Sequence, residues 1–287
     1  YISKHPLFDY VHLTKPRLMW LLCLVAFAGM VVSARASLSL NTVVLTLLGG
    51  ILAIGASGTF NHIFEADIDR SMSRTANRPL ATQRISTTNA WCFGIALGGA
   101  SILIFLTLNL FAALLALSAI LYYSVIYTLL LKPNTAQNTV IGGIAGSFPV
   151  IIGSVAVTAA ITIDAILLAI LIFFWTPAHF YNLALTYKKD FEQSGLPMFP
   201  VVHGDAKTRK HILFYFGATL IAALLFFSVS GLSLLFFSVN SIFSIVFLWT
   251  IVLSHYQPSR LTSMRAFHAS NLYLGAILIS IILEILL

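Results

Sequence analysis

The sequence is poor in charged residues. Lysine, arginine, aspartate and glutamate make up only 9% of its 287 residues, whereas hydrophobic residues make up 59%. A soluble domain carries about 25% charged residues, so this composition excludes an ordinary soluble protein. The hydrophobic residues form long runs without the alternation of a β-barrel, and such runs favour α-helices that span a membrane.

Cysteine is also scarce. Cys23 and Cys92 lie in apolar runs, and we interpret them as small core residues. Two isolated cysteines exclude a disulfide framework, and without a C-x-x-C pair they indicate neither a zinc site nor covalent haem attachment. The polar segment before the first apolar run is unlike a cleavable signal peptide, and we expect none.

The apolar runs predict an all-α integral membrane protein with nine transmembrane helices in one domain, residues 1–287. The expected spans are 18–36, 42–64, 89–108, 110–131, 138–158, 163–186, 211–230, 233–253 and 267–287. Two connections are long and charged, the first at 61–84 and the second at 187–210.

The cations lie almost entirely on one side of these spans. Fifteen of the sixteen share that side, and Arg35 is the exception. The fifteen are Lys4, Lys15, Arg17, Arg70, Arg74, Arg78, Arg84, Lys132, Lys188, Lys189, Lys207, Arg209, Lys210, Arg260 and Arg265. The positive-inside rule makes this side cytoplasmic, with the N-terminus inside and the C-terminus outside. Topology therefore accounts for the net charge of +7, and no nucleic-acid partner is expected.

The first long connection begins with oxygen-bearing side chains four residues apart. Asn61, Glu65 and Asp69 would share one face of a helix that continues out of the second span. Two carboxylates so close together need a cation, and oxygen ligands favour a hard ion such as Mg²⁺. Arginines, which suit phosphate oxygens, follow at the same spacing: Arg70, Arg74 and Arg78. The pattern suggests a metal–diphosphate site, and the alternative is a solvated loop with surface ion pairs.

The second connection repeats this spacing. Asn182, Thr186 and Asp190 lie at the end of the sixth span, with Lys188 and Lys189 beside the acid. Two such helix ends on one membrane face could clamp a single metal–diphosphate between them, although so short an echo also arises by chance.

Five segments carry a resemblance to a known family. They are "LTKPR" (13–17), "FNHIFEADIDRSMSRTANRPLA" (60–81), "QNTVIGGIAGSFPVIIG" (137–153), "WTPAHFYNLAL" (175–185) and "DFEQSGLPMFPVVHG" (190–204). Together they resemble the UbiA superfamily of intramembrane prenyltransferases and, within it, the branch that farnesylates protohaem IX. The resemblance implies a nine-helix bundle that transfers a farnesyl group from farnesyl diphosphate to a vinyl group of haem b, giving haem O and diphosphate.

The resemblance also implies the roles of particular residues. The implied Mg²⁺ ligands are Glu65, Asp67, Asp69 and Asp190. The implied catalytic residues are Asn61, Glu65, Asp69, Asp190, Arg70 and Lys189. The implied substrate-binding residues are Arg74, Arg78, Lys188, Lys15, Arg17, His179, His62 and His203. An intramembrane histidine is a functional candidate, so His179 is expected to contact the haem iron or a propionate, and hydrogen bonding within the bundle is the alternative.

This sequence departs from the family's pattern at two places. Glu65 stands where aspartate is usual, which still supplies a carboxylate. The second motif of the wider superfamily commonly pairs two aspartates four apart, whereas Asp190 is followed at that distance by Ser194. The number of metal ligands that the second connection supplies is therefore open.

Several alternatives remain at the level of sequence. Another UbiA transferase, with a quinone precursor or other lipid as acceptor, would have the same metal–diphosphate half. A transporter would place ionisable groups near the middle of its spans, which are almost uncharged here. A non-catalytic haem-handling protein would not explain the acid–arginine clusters. The glycines of span five, Gly142, Gly143 and Gly146, indicate close helix packing or room for substrate.

The implied setting is an integral membrane enzyme in contact with lipid. We expect a prokaryotic cell membrane, or the mitochondrial inner membrane if the source is eukaryotic. A haem A synthase or a terminal oxidase assembly is a possible partner under this interpretation.

Overall fold

The computed structural model describes residues 6–35 and 37–287. Lys4 and the predicted end of the first span at residue 36 lie outside the described residues. The described part is helical, with α1 (Pro6–Leu13), α2 (Pro16–Ala34), α3 (Leu40–Phe64), α4 (Ala66–Ser71), α5 (Thr87–Leu108), α6 (Leu110–Leu121), a π-helix (Tyr122–Leu131), α7 (Asn138–Gly142), α8 (Ile144–Thr158), α9 (Ile163–Thr186), α10 (Lys188–Gln193), α11 (Phe199–His203), α12 (Asp205–Ser230), α13 (Leu234–Tyr256) and α14 (Arg260–Leu286).

Within these residues, nine segments are long and apolar enough to cross a membrane, which confirms the predicted number. The sixth ends at Thr186 as expected, but the seventh and ninth begin earlier than predicted, at Asp205 and Arg260. Ser259 explains the second difference. Its Oγ accepts a hydrogen bond from the Thr262 N–H, and the Thr262 hydroxyl accepts one from the Ser259 N–H, both at 3.1 Å. This capping box starts α14 within a polar segment that hydropathy alone assigns to a loop.

Small residues allow the helices to approach closely. A side chain added at Gly29 on α2 would collide with the Val150 carbonyl on α8, and one added at Gly153 would collide with the Ala26 carbonyl. The two glycines thus bring α2 and α8 together from both sides. A large hydrophobic core, rich in aromatic residues, joins α2 and α8 to α9, α12, α13 and α14.

The predicted glycine face of span five packs against its neighbours. A side chain at Gly142 would overlap the Tyr127 ring, and one at Gly146 would lie 3.4 Å from the Thr176 hydroxyl. These contacts favour close packing over room for substrate at this face.

The fourth span changes from α-helix to π-helix at Tyr122. The Lys132 N–H donates to the Tyr127 carbonyl at 2.9 Å, five residues back instead of four. π-helical turns are rare and occur mostly at functional sites. Here the π-helix leads to Lys132, and its other polar side chains include Tyr123 and Thr128. Lys132 and Thr128 contact Glu65 and Asn61 of the first long connection, and Tyr123 accepts a hydrogen bond from Lys15.

Candidate active site

The site begins where α3 ends. The Glu65 N–H donates to the Asn61 carbonyl at 3.0 Å, and the Asp69 N–H donates to the Glu65 carbonyl at 2.7 Å. Helical hydrogen bonding therefore continues from α3 into α4 and places the three side chains on one face. Asn61, Glu65 and Asp69 are only 2%, 5% and 2% exposed, so this face is buried and does not belong to a solvated loop.

Cations surround the two carboxylates. Arg78 Nη1 lies 2.9 and 2.8 Å from the two carboxylate oxygens of Asp69 and 3.6 Å from Glu65 Oε2. Lys132 donates to Glu65 Oε1. Burial alone would raise the pKa of Glu65, but Lys132, Lys15 and Arg78 outweigh burial and lower it to about 2. The carboxylate is therefore ionised at neutral pH.

Lys15 completes this group from the N-terminal side. It donates to Asn61 Oδ1 and, at 3.2 Å, to the Tyr123 hydroxyl. Its backbone is left-handed, with φ of 56°, and Pro16 follows it. The residue before a proline avoids the right-handed helical region. Burial lowers the pKa of Lys15 to about 8, against the opposing attraction of Glu65.

A glycine leaves space for this lysine segment. A side chain at Gly58 would lie 2.8 Å from the Leu13 carbonyl and 3.3 Å from Lys15 Cγ. The Asn61 amide is held separately, because its Nδ2 donates to the Thr128 hydroxyl at 3.1 Å. Two carboxylates and three cations, namely Lys15, Arg78 and Lys132, leave one net positive charge, so the group as a whole attracts an anion.

The four carboxylates expected to bind metal do not come together. The Asp67 side chain is 91% exposed and pairs with Arg70 at 2.7 Å, away from Glu65 and Asp69. Residues two positions apart do not face each other on a helix, which explains the separation. In the described ranges, no group of three or more Asp, Glu, His or Cys side chains could hold a metal ion. Of the predicted ligands, Glu65 and Asp69 share one buried face, and Asp67 lies outside it.

The second connection contacts the first through several side chains, and Asp190 makes one of these contacts. The Ser73 hydroxyl lies 3.0 and 2.8 Å from the two carboxylate oxygens of Asp190. The other two members of the repeated spacing serve their own helix. Asn182 Nδ2 donates to the Ala178 carbonyl, and the Thr186 hydroxyl donates to the Asn182 carbonyl, both at 2.8 Å.

The remaining predicted cations are spread over this end of the bundle. Lys188 pairs with Asp205 at 2.8 Å and with Glu192 at 3.7 Å. The hydrogen bond to Asp205 raises the pKa of Lys188. Lys189 and Arg17 are exposed. Arg70 also donates through Nε to the Ala81 carbonyl at 3.0 Å and so joins two parts of the first connection. The guanidinium carbon of Arg74 lies 5.4 Å from the centre of the Tyr187 ring.

The predicted histidines lie in three different places. His179 is buried between the rings of Trp175 and Phe267, with centroids 4.4 and 4.3 Å away. Its Nδ1 lies 2.6 Å from the Ser270 hydroxyl. This arrangement shows the hydrogen bond within the bundle that was the alternative interpretation, and the predicted haem contact stays a prediction. His62 and His203 are separate from this cluster.

His62 and His203 differ in their surroundings. His62 is buried on α3, its ring lies 5.8 Å from that of His12, and its Nδ1 has no hydrogen-bond partner among the described residues. His203 is exposed, with its ring 4.5 Å from Phe199. The three predicted histidines therefore lie in separate surroundings, and the haem contact predicted for each stays a prediction.

An apolar cavity of about 120 Å³ adjoins the charged group. Lys15, Gly58 and Tyr123 line the end nearest to the carboxylates. Thr46 and Phe105 line the deeper end, twelve residues or roughly 18 Å away along α3. The cavity lies among α2, α3, α5, α6 and α8. It can hold a linear apolar chain with a charged head at Lys15.

Sequence analysis missed three residues of this arrangement. Lys132 was counted only as a topology signal, and Tyr123 and Ser73 were not singled out. Lys132 follows a span that carries no motif, and a hydropathy profile does not distinguish the π-helix before it from an α-helix. The cation density near Glu65 was the one signal that could have prompted a search for such a partner.

The sequence profile of the UbiA prenyltransferase family matches residues 22–274. The chain belongs to the UbiA prenyltransferase family. Among curated relatives of this UbiA family member, a protein from Haloarcula marismortui called protoheme IX farnesyltransferase is 54% identical over 277 residues. That match covers 96% of this chain and 60% of the relative, so the chain spans about three-fifths of the relative's length.

Solved structures show the same fold at low sequence identity. A structure described as digeranylgeranylglyceryl phosphate synthase has a TM-score of 0.80 and 17% identity, covering 98% of this chain and 99% of that one. A UbiA homologue from Archaeoglobus fulgidus bound to GPP and Mg²⁺ has a TM-score of 0.65 and 19% identity, covering 96% of this chain and 99% of that one. Both similarities support the nine-helix UbiA fold expected from the sequence.

Proposed function

We propose that this UbiA family member transfers a farnesyl group from farnesyl diphosphate to a vinyl group of haem b. The observation that carries the proposal is the 54% identity, over 96% of the chain, to a relative called protoheme IX farnesyltransferase. The charged group and the adjoining apolar cavity supply a place for each half of a prenyl diphosphate.

The donor set at the end of α3 fits Mg²⁺. Glu65 and Asp69 offer buried carboxylates that both lie near Arg78, and Asn61 offers an amide oxygen on the same face. Mg²⁺ is usually held by one or two carboxylates together with substrate phosphates, so two suffice. Glu65 and Asp69 would hold the ion. Asp67, which is exposed and pairs with Arg70, and Asp190, which accepts from Ser73, are the weaker candidates. When bound, the ion would neutralise charge on the diphosphate.

The cations of the site would stabilise the leaving group. As the allylic C–O bond breaks, its electron pair stays with the diphosphate and negative charge grows there. Lys15, Arg78 and Lys132 are already fixed by contacts to Asn61, Asp69 and Glu65, so little reorganisation is needed. Asn61 would orient Lys15 toward the diphosphate.

The cavity would hold the farnesyl chain. Its lining is almost entirely apolar beyond Lys15 and Tyr123, and it lies within the bundle. An apolar, enclosed site keeps water from the carbocation until the acceptor reacts. The vinyl group then forms the new C–C bond, and water adds to the resulting cation with loss of a proton, leaving a hydroxyethylfarnesyl group.

We also infer the orientation and setting of the chain from its charges. The excess of cations at the end that carries the site supports a cytoplasmic position for that end and the N-terminus, with the C-terminus outside. A prokaryotic cell membrane, and a terminal oxidase assembly or haem A synthase as recipient of the product, fit the proposed reaction. Thiol labelling of single cysteines at Ser73 and Ser233, in a chain without Cys23 and Cys92, tests the orientation: an impermeant reagent should reach only Ser233→Cys from outside.

The first experiment is the reaction itself. The purified chain receives haem b, farnesyl diphosphate and Mg²⁺, with and without EDTA, and the pigment is analysed by mass. A haem product heavier by farnesyl plus water, formed only with metal, supports the proposal. Diphosphate release with a quinone precursor and none with haem would instead identify another UbiA acceptor.

A further inference from the structure

Two arginines from different connections share one tyrosine ring. Arg74, in the first long connection, has its guanidinium carbon 5.4 Å from the centre of the Tyr187 ring. Arg260, the first residue of α14, has its guanidinium carbon 5.2 Å from the same point. Two like charges therefore lie within 5.4 Å of the centre of one ring, an arrangement that an anion would stabilise.

No carboxylate in the described part of the chain forms an ion pair with either arginine. The acids of both long connections contact other groups instead. These contacts are Asp67 with Arg70, Asp69 with Arg78, Glu65 with Lys132, Glu192 and Asp205 with Lys188, and Asp190 with the Ser73 hydroxyl. Both arginines are exposed, so their donors are available to a ligand.

Arg74 lies close enough to Arg78, Asp69 and Glu65 to interact with their charges, so the arginine pair borders the group that would bind diphosphate without joining its hydrogen bonds. Lys15, Lys132 and Arg78 are only partly exposed and converge on the buried end of α3. Tyr187 instead follows α9, and Arg260 begins α14. Those two helices also carry the aromatic cluster around His179, eight residues before Tyr187 and roughly 12 Å along α9.

An acceptor with a polar edge and a broad apolar body would suit this arrangement. Its acidic edge would meet the arginine pair at the charged end, while its apolar body would extend toward the aromatic side chains of α9 and α14. Haem b has two propionates on one edge of an apolar ring. Arginine's planar fork binds carboxylates through paired hydrogen bonds.

We propose that Arg74 and Arg260, on the Tyr187 ring that they share, bind the propionate carboxylates of the acceptor. The inference rests on the proposed function for the identity of that acceptor. It assigns Arg260 a binding role and assigns Arg74 to the acceptor instead of the diphosphate.

The test compares haem b with its dimethyl ester, in which both carboxylates are blocked. Each is titrated against the purified full chain and followed by the Soret absorbance, so no turnover is needed. The wild type should bind haem b about a hundredfold more tightly than the ester, and Arg260→Gln and Arg74→Gln should each reduce that preference about tenfold, the size of one charge-assisted hydrogen bond. Affinity for the ester should change less than twofold.

Arg265→Gln is the matched control, because Arg265 is an exposed arginine on the same helix, five residues further on. It should leave the preference unchanged. Arg260→Lys keeps the charge without the fork and should lose part of the preference, which separates charge from a disturbed start of α14. The proposal would be overturned if Arg260→Gln and Arg265→Gln preferred haem b over the ester to the same extent, or if the wild type showed no such preference.

A further titration separates the acceptor from the prenyl donor. Binding of farnesyl diphosphate should stay within twofold in Arg260→Gln. Weaker binding of farnesyl diphosphate with an unchanged preference for haem would return the pair to the diphosphate site and overturn the proposal. Farnesylation of haem by the wild type is measured separately. If the arginine variants lose the preference for haem b over its ester but the wild type forms no farnesylated haem, the proposed function is refuted and the carboxylate site is kept. If the wild type farnesylates haem but the variants keep the preference, the proposed function is kept and the carboxylate site is refuted.

Discussion

Two helix ends in this protein carry the same residue spacing but are built differently. At the end of α3, Asn61, Glu65 and Asp69 are all buried, and each contacts a cationic side chain. None of these three contacts is made within the helix itself. The face is therefore a charged site whose groups come from several elements.

At the end of α9, the corresponding side chains mostly serve the helix. Asn182 and Thr186 donate to carbonyl groups one turn earlier, and Asp190 accepts from Ser73 at the edge of the first connection. A threonine hydroxyl can bond the carbonyl four residues back, whereas an ionised carboxylate has no proton to donate. Spacing places side chains on one face, but residue chemistry and neighbours decide whether that face becomes a site.

The strongest test of this contrast removes one charge at the end of α3. Glu65→Gln keeps the shape of the side chain but leaves Lys132 without its carboxylate, and we expect kcat/KM for farnesyl diphosphate to fall about a thousandfold. Haem product formation is the measurement. Asp67→Asn is the control, since that carboxylate is exposed, and it should retain activity within twofold. Equal losses in the two variants would contradict the burial argument.

Lys132 tests the partner that the π-helix supplies. Lys132→Met leaves Glu65 buried without its closest cation, and we expect about a hundredfold loss of kcat/KM. Breaking a buried pair costs about 3 kcal/mol, so the variant should also unfold earlier in a denaturant titration. Lys207→Met, an exposed lysine at the same end of the bundle, should change neither quantity. A Lys132→Met variant with normal activity would remove Lys132 from the site.

The pH profile tests Lys15. Burial lowers its pKa to about 8, so Lys15 loses its positive charge at a lower pH than an ordinary lysine. We expect kcat/KM for farnesyl diphosphate to fall above pH 8, by about tenfold per pH unit for one lost proton. Lys15→Arg should have lower activity but a flat profile between pH 7 and 10 (roughly the range in which arginine stays charged). A decline that persists in Lys15→Arg would assign it to another group.

The smallest effect is expected at the end of α9. Asp190→Asn removes the negative charge of the group that accepts from the Ser73 hydroxyl, and we expect about a fivefold loss of kcat/KM because a charge-assisted hydrogen bond becomes a weaker neutral one. Ser73→Ala should produce a loss at least as large, since it removes this hydrogen bond altogether. A loss at Asp190 as large as that at Glu65 would instead make both helix ends equal partners in a metal–diphosphate clamp.

Some features followed from the sequence because they depend on short-range patterns. Long apolar runs predicted nine spans, and seven of them begin within about two residues of their observed starts. The spacing of four placed Asn61, Glu65 and Asp69 on one face, because one helical turn is a local property. The early starts of α12 and α14 were missed, since polar residues can extend a helix beyond the membrane and hydropathy does not register that extension.

What the sequence by itself determined is the membrane bundle, the charged end and the acid face of α3. Only the tertiary structure decided which cations meet those acids, because Lys15, Arg78 and Lys132 come from segments far apart in the chain. It likewise decided that Asp67 faces solvent, and that Arg74 and Arg260 meet on Tyr187. Such contacts depend on how helices pack and on the π-helix that redirects one span, and no local pattern in the chain specifies them.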